Sequence, residues 1–386
     1  MSKQVIQHKK AQFKLEPDGF SIHTFELSRR MTRHEWHAIK DKLYEEQKQR
    51  GEGEGIRIYK EAKGCYQVTL YQRFGVRVKL QHCDTGSHDA FYVHMIITPR
   101  KLIDPESSYL GILPPKKSSI ERLQKAFAEL FRDSIFENEM EQYQLRRVDL
   151  CVNIRCNHKK ILRETVRVLR KLPTPNKYKR VFSTHKDKKI ANRINKHYLQ
   201  FACGTHTLVI YDKTFQMEAQ GLVVDFEKLP EGVLRFEVQY RRKMLRDLEK
   251  EIGENAPAKL LWILMQESRK RICKHFSRCF ADVRFCQYEE ILTRIEASKF
   301  SEARKEIMKE LTTRLQRKQS VDAALDELRK EGYDIDHIPE RFTQLGISPI
   351  PLWSSFCAQS IPGPVELLKT IREQEIAVPY IRKKCK

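Results

Sequence analysis

LRRVDLCVNI (145–154) alternates along its length, with Val148, Leu150, Val152 and Ile154 on one side and Arg147, Asp149, Cys151 and Asn153 on the other. Successive side chains of a strand point to opposite faces, so this pattern predicts a strand with one face in a core and a polar face opposite. Two later stretches read the same way. VLRFEVQY (233–240) sets Leu234, Phe236, Val238 and Tyr240 against Arg235, Glu237 and Gln239. THTLVIYDK (205–213) sets Leu208 and Ile210 against Thr207, Val209, Tyr211 and Lys213. Further strand-like stretches fall at 20–27, 66–71, 76–81, 90–98, 181–184 and 197–201.

Helical spacing occurs at 32–49, 118–136 and 158–172, and Ser118 followed by Glu121 predicts a capping box. Gly51–Gly55 and 114–117 read as loops. After Tyr240 the apolar period becomes helical, with helices expected at 243–252, 257–276, 288–296, 301–317, 321–331 and 365–373. Pro349, Pro351, Pro362 and Pro364 interrupt the last stretch. The expected fold is therefore α+β with a mostly antiparallel sheet. A basic tail (1–19), a sheet-bearing domain (20–252) and a helical domain (253–386) are expected in that order.

Composition narrows the partners. The 386 residues are 40% hydrophobic, enough for a packed core, which excludes wholesale disorder. They hold 73 Lys+Arg against 51 Asp+Glu, a net charge of +22, which points to a polyanion. No apolar run reaches the roughly 18 residues of a membrane helix, and the N-terminal residues lack the apolar stretch of a secretory signal. The ten cysteines form no CxxC pair, so reduced thiols in a cytoplasmic protein are expected. Cys273, Cys279 and Cys286 with His275 come nearest to a zinc set.

The charge is concentrated. Residues 155–197 hold 15 Lys+Arg and 2 Asp+Glu, more than half of the surplus, with Tyr178 and Phe182 interleaved. Lysine and arginine bind phosphates, and an aromatic ring stacks on an unpaired base. Lys177, Tyr178, Lys179, Arg180, Lys186, Lys188, Lys189, Arg193 and Lys196 are thus candidate nucleic-acid contacts. A solvated basic face is the plainer alternative.

If the three polar-faced strands are neighbours, two carboxylates, a tyrosine, a lysine and two arginines share one surface. That set suits phosphoryl transfer. Asp149 and Glu237 would hold a divalent cation through oxygen ligands, and the cation would polarise a phosphate. A tyrosine hydroxyl would attack phosphorus and form a covalent intermediate. The alternative is that Asp149 and Glu237 pair with Arg147 and Arg235 on a solvated face.

RRVDLCVNI (146–154), HTLVIYDK (206–213) and VLRFEVQYRRKML (233–245), in that order, resemble the tyrosine replication-initiation endonucleases of rolling-circle elements. The likeness is closest to the filamentous-phage gene II replication proteins, with related plasmid initiators behind them, and it covers about residues 66–250. YVHMIITPRKLI (92–103) is similar to that family's upstream strand and its Ser/Thr-Pro-x-Lys turn. The resemblance implies that Tyr211 is the nucleophile and Lys213 its following lysine. It implies that Arg147 and Asp149 form one signature pair and Arg235 and Glu237 the other. Where the family often has an acidic residue, this chain has His94, a candidate metal ligand. The paired-histidine motif of the wider rolling-circle class is absent.

The implied function is origin-specific nicking and joining of a phage or plasmid genome through a 5′-phosphotyrosine, with Mg²⁺ or Mn²⁺. The substrate would be a single-stranded or extruded origin segment, with origin duplex, a host helicase and a polymerase as further partners and no membrane. A relaxase of a conjugative or integrative element with the same chemistry stays open. So does a non-catalytic nucleic-acid-binding protein. The helical part, where 321–331, Gly332 and 338–345 read as a helix-turn-helix-like unit or a plain bundle, would bind duplex or a partner.

Overall fold

The computed structural model describes residues 9–50, 58–62, 64–84, 89–182, 188–219, 232–318, 320–353, 356, 358–371 and 373–380. The expected loop at 51–55, Lys186, and the end of the strand expected at 181–184 lie outside these residues. The fold is α+β, as the alternating and helical stretches indicate. Its strands are β1 (Lys9–Met31), β2 (Ile58–Ala62), β3 (Cys65–Val68), β4 (Val76–Asp84), β5 (Asp89–Ile97), β6 (Gln144–Cys156) and β7 (Lys179–Val181). They continue with β8 (Tyr198–Ala202), β9 (His206–Asp212), β10 (Gly232–Arg241), β11 (Arg284–Cys286), β12 (Ser360–Pro362) and β13 (Ile376–Tyr380).

One large sheet runs in the order β2-β3-β4-β5-β1-β6-β10-β9-β8-β7, and β13 joins it by pairing with β1. Every pair in it is antiparallel. β11 and β12 form a separate two-stranded ribbon. β1 is the longest strand and lies at the middle, with β6 along one edge and β5 and then β13 along the other.

β1 corrects one expectation. Residues 9–19 are not a tail but the first half of this strand, and Ala11 and Phe13 are fully buried. Ala11, Phe13 and Leu15 recur at every second position, a strand signal hidden among lysines. After Gly253 the chain packs back on the sheet. Helices Pro257–Gln266 and Ser268–Cys279 lie against β1 and β6, where Leu260, Leu261, Leu264 and Phe276 are buried. The apolar period predicts one helix here, and the structure has two. The break comes at Glu267 (φ −90°, ψ 0°), where the Ser268 hydroxyl donates to the Met265 carbonyl at 2.8 Å.

The capping box at Ser118 is also corrected. That helix runs Lys117–Phe131, so Ser118 already lies inside it, and its N-cap Lys116 makes no side-chain cap bond. A reciprocal box forms instead before the helix Arg33–Arg50. Thr32 N–H donates to Glu35 Oε2 at 2.7 Å, and Glu35 N–H to Thr32 Oγ1 at 3.2 Å. No helix among the described residues is long and apolar enough to cross a membrane.

His275, on the second covering helix, meets the Tyr240 hydroxyl at 3.0 Å under the sheet. Burial, reinforced by His206 and nearby cations, pulls its imidazole down to about 3. The unfolded chain takes up that proton near pH ~6.5, while the folded chain resists it. Stability from this group is therefore full above about pH 6.5 and is lost as pH falls towards 3. Thermal melts should show a drop between neutral and mildly acidic buffer that is smaller in His275→Gln; equal drops would remove His275 from the account.

Candidate phosphoryl-transfer site

β6, β10 and β9 are sheet neighbours, so their polar faces meet. Arg235 stands opposite Asn153 on β6 and Tyr211 on β9, while Gln239 and Thr24 of β1 flank Asp149. The Tyr211 hydroxyl donates to Glu237 Oε1 at 2.6 Å. Arg235 is fully buried and spans the group. Its Nε donates to Asn153 Oδ1 (2.6 Å), its Nη2 to the Leu110 carbonyl (2.7 Å), and its Nη1 to the Tyr211 oxygen (3.5 Å). Nη1 also lies 3.7 Å from Glu237 Oε1. Arg147 donates to Asp149 Oδ2 at 3.1 Å and reaches Glu26 Oε2 at 3.9 Å.

Both ion pairs of the plainer alternative are present, Arg147 with Asp149 and Arg235 with Glu237, and only its solvated face is corrected. Asp149 is 3% exposed, and Glu237 and Tyr211 are each 4% exposed. The segment 104–116 covers them. Leu110 O takes hydrogen bonds from both Asn153 (2.8 Å) and Arg235, and Leu113 N–H donates to Ile22 O at 3.0 Å. On the far side of Tyr211 a cavity of about 480 Å³ opens, lined also by Tyr198, His197, Phe215 and Phe182.

This burial sets the electrostatics. It pushes the Tyr211 hydroxyl well above the usual tyrosine range, with Glu237 adding to the shift and Arg235 opposing it. Burial likewise raises the Asp149 carboxyl, against the pull of Arg147. Lys213 is pulled down to about 7, by burial first and by Arg235 second.

Lys213 is not on the strand face. β9 stops at Asp212, whose side chain accepts from Phe215 N–H at 2.9 Å, and Lys213 opens the short helix Lys213–Ala219. Its ammonium is held by Gln216 Oε1 at 2.9 Å and lies 6.0 Å from the Tyr211 ring centre.

His94 sits on β5 and pairs through Nδ1 with Glu26 Oε1 at 3.0 Å, with Arg147 bridging from Glu26 to Asp149. The imidazole that faces Glu237 belongs to His23, 4.0 Å away. Glu26, His23 and Asn153 join the site although the sequence reading does not single them out. His23 is the extra residue of a bulge in β1, where pairing jumps from Ile22–Leu150 to Thr24–Asp149. One signal could have found it: the apolar positions change phase from Phe20 and Ile22 to Phe25 and Leu27.

Among the described residues no group of three or more His, Cys, Asp and Glu is arranged to hold a metal ion. Magnesium-type ions ask less, using one or two carboxylates and completing their shells with water and substrate oxygens. The residues fit that demand. Asp149 Oδ1 is buried without a hydrogen-bond partner among the described residues, while His23 Nδ1, the nitrogen that faces Glu237, meets Thr24 Oγ1 at 2.8 Å. Arg147 Nε lies 3.0 Å from Oδ1 as an ion-pair contact, out of line for a hydrogen bond. Burial, with the nearby Arg235, keeps His23 well below the usual histidine range and therefore in the neutral, ligating form.

The basic segment divides. Lys177, Lys179, Lys188, Lys189, Arg193 and Lys196 are exposed, four of them on or beside the helix Lys188–Asn195. Tyr178 turns inward instead, its hydroxyl 2.5 Å from His206 Nε2, and is corrected to a packing residue. Arg180 is half-buried, donating to the carbonyls of Arg170 (2.5 Å) and Leu172 (3.3 Å). The Tyr198 ring lies tilted 5.7 Å from that of Tyr211, and Tyr240 is in the core. Cys273 lies against Leu368 O and Cys286 on β11, so the cysteines considered for zinc do not converge among the described residues.

No family model matches the chain, and no curated protein matches it either.

Proposed function

We propose that this chain is a metal-assisted enzyme that nicks and rejoins DNA at a replication origin to start rolling-circle replication, with Tyr211 as nucleophile. The phosphoryl-transfer part of this reading rests on one observation, the Tyr211 hydroxyl 2.6 Å from Glu237 Oε1 and beside Arg235, in a residue that also lines the 480 Å³ cavity. The origin and the rolling circle come from the resemblance to the replication initiators. A buried tyrosine is a poor nucleophile unaided. Glu237 accepts its proton, and Arg235 offsets the negative charge that develops on its oxygen.

The Tyr211 oxygen bonds to phosphorus, and the bond from phosphorus to the 3′ oxygen breaks. That oxygen takes a proton from water and leaves as a 3′-hydroxyl, Glu237 returns the Tyr211 proton to solvent, and the 5′ side stays on Tyr211 as a phosphotyrosine diester. Lys213, pulled down to about 7, exchanges a proton readily near neutrality and offsets charge on the phosphate. Asp149 and the Glu237 oxygen that does not face Tyr211, with His23 beside them, would hold Mg²⁺ or Mn²⁺, which would polarise the phosphate and offset its charge. Arg147 fixes the Asp149 carboxylate. The free 3′-hydroxyl primes a host polymerase, with a host helicase opening the duplex. Attack of a 3′-hydroxyl on the phosphotyrosine reverses the first step, restores Tyr211 and closes the strand.

Supercoiled plasmid carrying DNA from around the gene, incubated with the protein and Mg²⁺ or Mn²⁺, should yield nicked circles and a protein–DNA adduct that survives SDS. Glu237→Gln should slow adduct formation by about 10²- to 10⁴-fold, the span of general-base catalysis. Binding with a steep salt dependence and no nick under either cation would favour the non-catalytic reading.

A further inference from the structure

We infer that single-stranded DNA leaving the Tyr211 cavity crosses Phe182 into a basic channel walled jointly by the sheet and the C-terminal helices, where Arg170, Arg317 and Lys318 take its phosphates. This rests on the proposed DNA chemistry of Tyr211 but adds a binding surface outside the reacting centre.

Three cavities meet at one side chain. Phe182 lines the Tyr211 cavity, a second of about 400 Å³ and a third of about 540 Å³. The first and second also share Tyr198 and Gln200, and the second and third share Arg170, Arg317 and Lys318. The three cavities therefore lie side by side between Tyr211 and the end of the helix Glu302–Arg317. Phe182 is 57% exposed, an apolar ring in open solvent at the junction.

The walls carry one sign of charge. Arg170, Arg180, Arg317 and Lys318 line the second cavity, Lys171 and Lys196 join in the third, and among the described residues no carboxylate lines either. Lys318 has an ion pair with Glu327 at 2.8 Å, while Arg317 is exposed. Burial first, and the Arg167 charge second, lower both Arg170 and Lys171, the latter to about 8. A backbone of phosphates supplies the opposite charge, and an exposed aromatic between phosphate sites is the pattern that holds single strands.

The channel is also preformed. Lys171 Nζ donates to Leu315 O, and Val321 N–H donates to Lys171 O at 3.0 Å. Asp322 accepts from Thr174 N–H (2.9 Å) and hydroxyl (2.7 Å). Trp353 lies under Arg167 (4.1 Å) and Lys171 (5.0 Å). The two walls are thus fixed to one another without a strand between them, which keeps the ordering cost of binding low.

The test is anisotropy of a labelled single-stranded oligodeoxynucleotide, and of its duplex, across a salt series without divalent cation. Arg317→Ala/Lys318→Ala should flatten the log K against log salt slope for single strands by about 1.4, two phosphates at about 0.7 each, and weaken binding by roughly 10- to 30-fold near 0.1 M salt. Phe182→Ala, at an exposed site that folding does not need, should weaken it at least about fivefold. Single-strand binding unchanged in both variants overturns the channel, as does an equal loss for duplex. If the channel variants lose binding while wild type forms no adduct, the channel stands and the Tyr211 chemistry falls. If wild type forms an adduct and the channel variants bind as it does, the chemistry stands and the channel falls.

Discussion

Tyr211→Phe protein is expected to bind origin DNA as wild type does and to form no covalent adduct with it. Phenylalanine keeps the ring, which packs at a tilt 5.7 Å from that of Tyr198, and removes only the oxygen that faces Glu237 and Arg235. The loss should be complete on an SDS gel, because the oxygen is the atom that bonds to phosphorus. Its stability cost is that of one buried hydrogen bond left unmade, about 1–3 kcal/mol. A melting point a few degrees lower is therefore compatible with a folded, inactive enzyme. An adduct that persists at full yield would keep the chemistry and move the nucleophile, with Tyr198 next because it lines the same cavity.

Arg235→Met should be the most damaging change to the fold among those considered. The guanidinium is fully buried and is shared among Asn153, the Leu110 carbonyl, Tyr211 and Glu237. Methionine fills part of the space but leaves the Glu237 carboxyl buried without that cation and takes one donor from Leu110. Breaking a buried pair from one side typically costs about 3–5 kcal/mol. Urea denaturation should show that loss in the single variant, and a substantial recovery in Arg235→Met/Glu237→Gln, where no unpaired carboxylate remains. A single variant as stable as wild type would mean that Arg235 holds nothing in place.

Parts of this site are legible in the sequence. β6, β9 and β10 each carry enough alternations to show an apolar and a polar face, and the chemistry-bearing residues of β6 and β10, with Tyr211, stand where alternation puts them. Which strands are neighbours is not legible, because pairing between strands 22 to 34 residues apart (β9 with β10) or 76 to 94 apart (β6 with β10) leaves no local trace. Nor is the burial. Alternation tells polar from apolar but not covered from open, and the cover is the loop DPESSYLGILPP (104–115), of which the sequence reading marks only the end, from 114, as a loop. The short strands β2 and β11–β13 hold three to five residues each, too few for a period to emerge. Glu26 and His94 cannot be paired from sequence, since their contact depends on the register of β1 against β5.

β13 has a consequence for how the molecule is made. Residues 9–13, near the start of the central strand, wait for residues 376–380 to complete one of their two edges. During synthesis that edge stays open, with free backbone donors and acceptors, until residues 376–380 have left the ribosome. The entropic cost of closing so long a loop grows only with the logarithm of its length, so the delay is one of time rather than of stability. A ribosome that stalls before residue 376 releases a product whose central strand still offers an unpaired edge, a template for pairing with a second nascent chain.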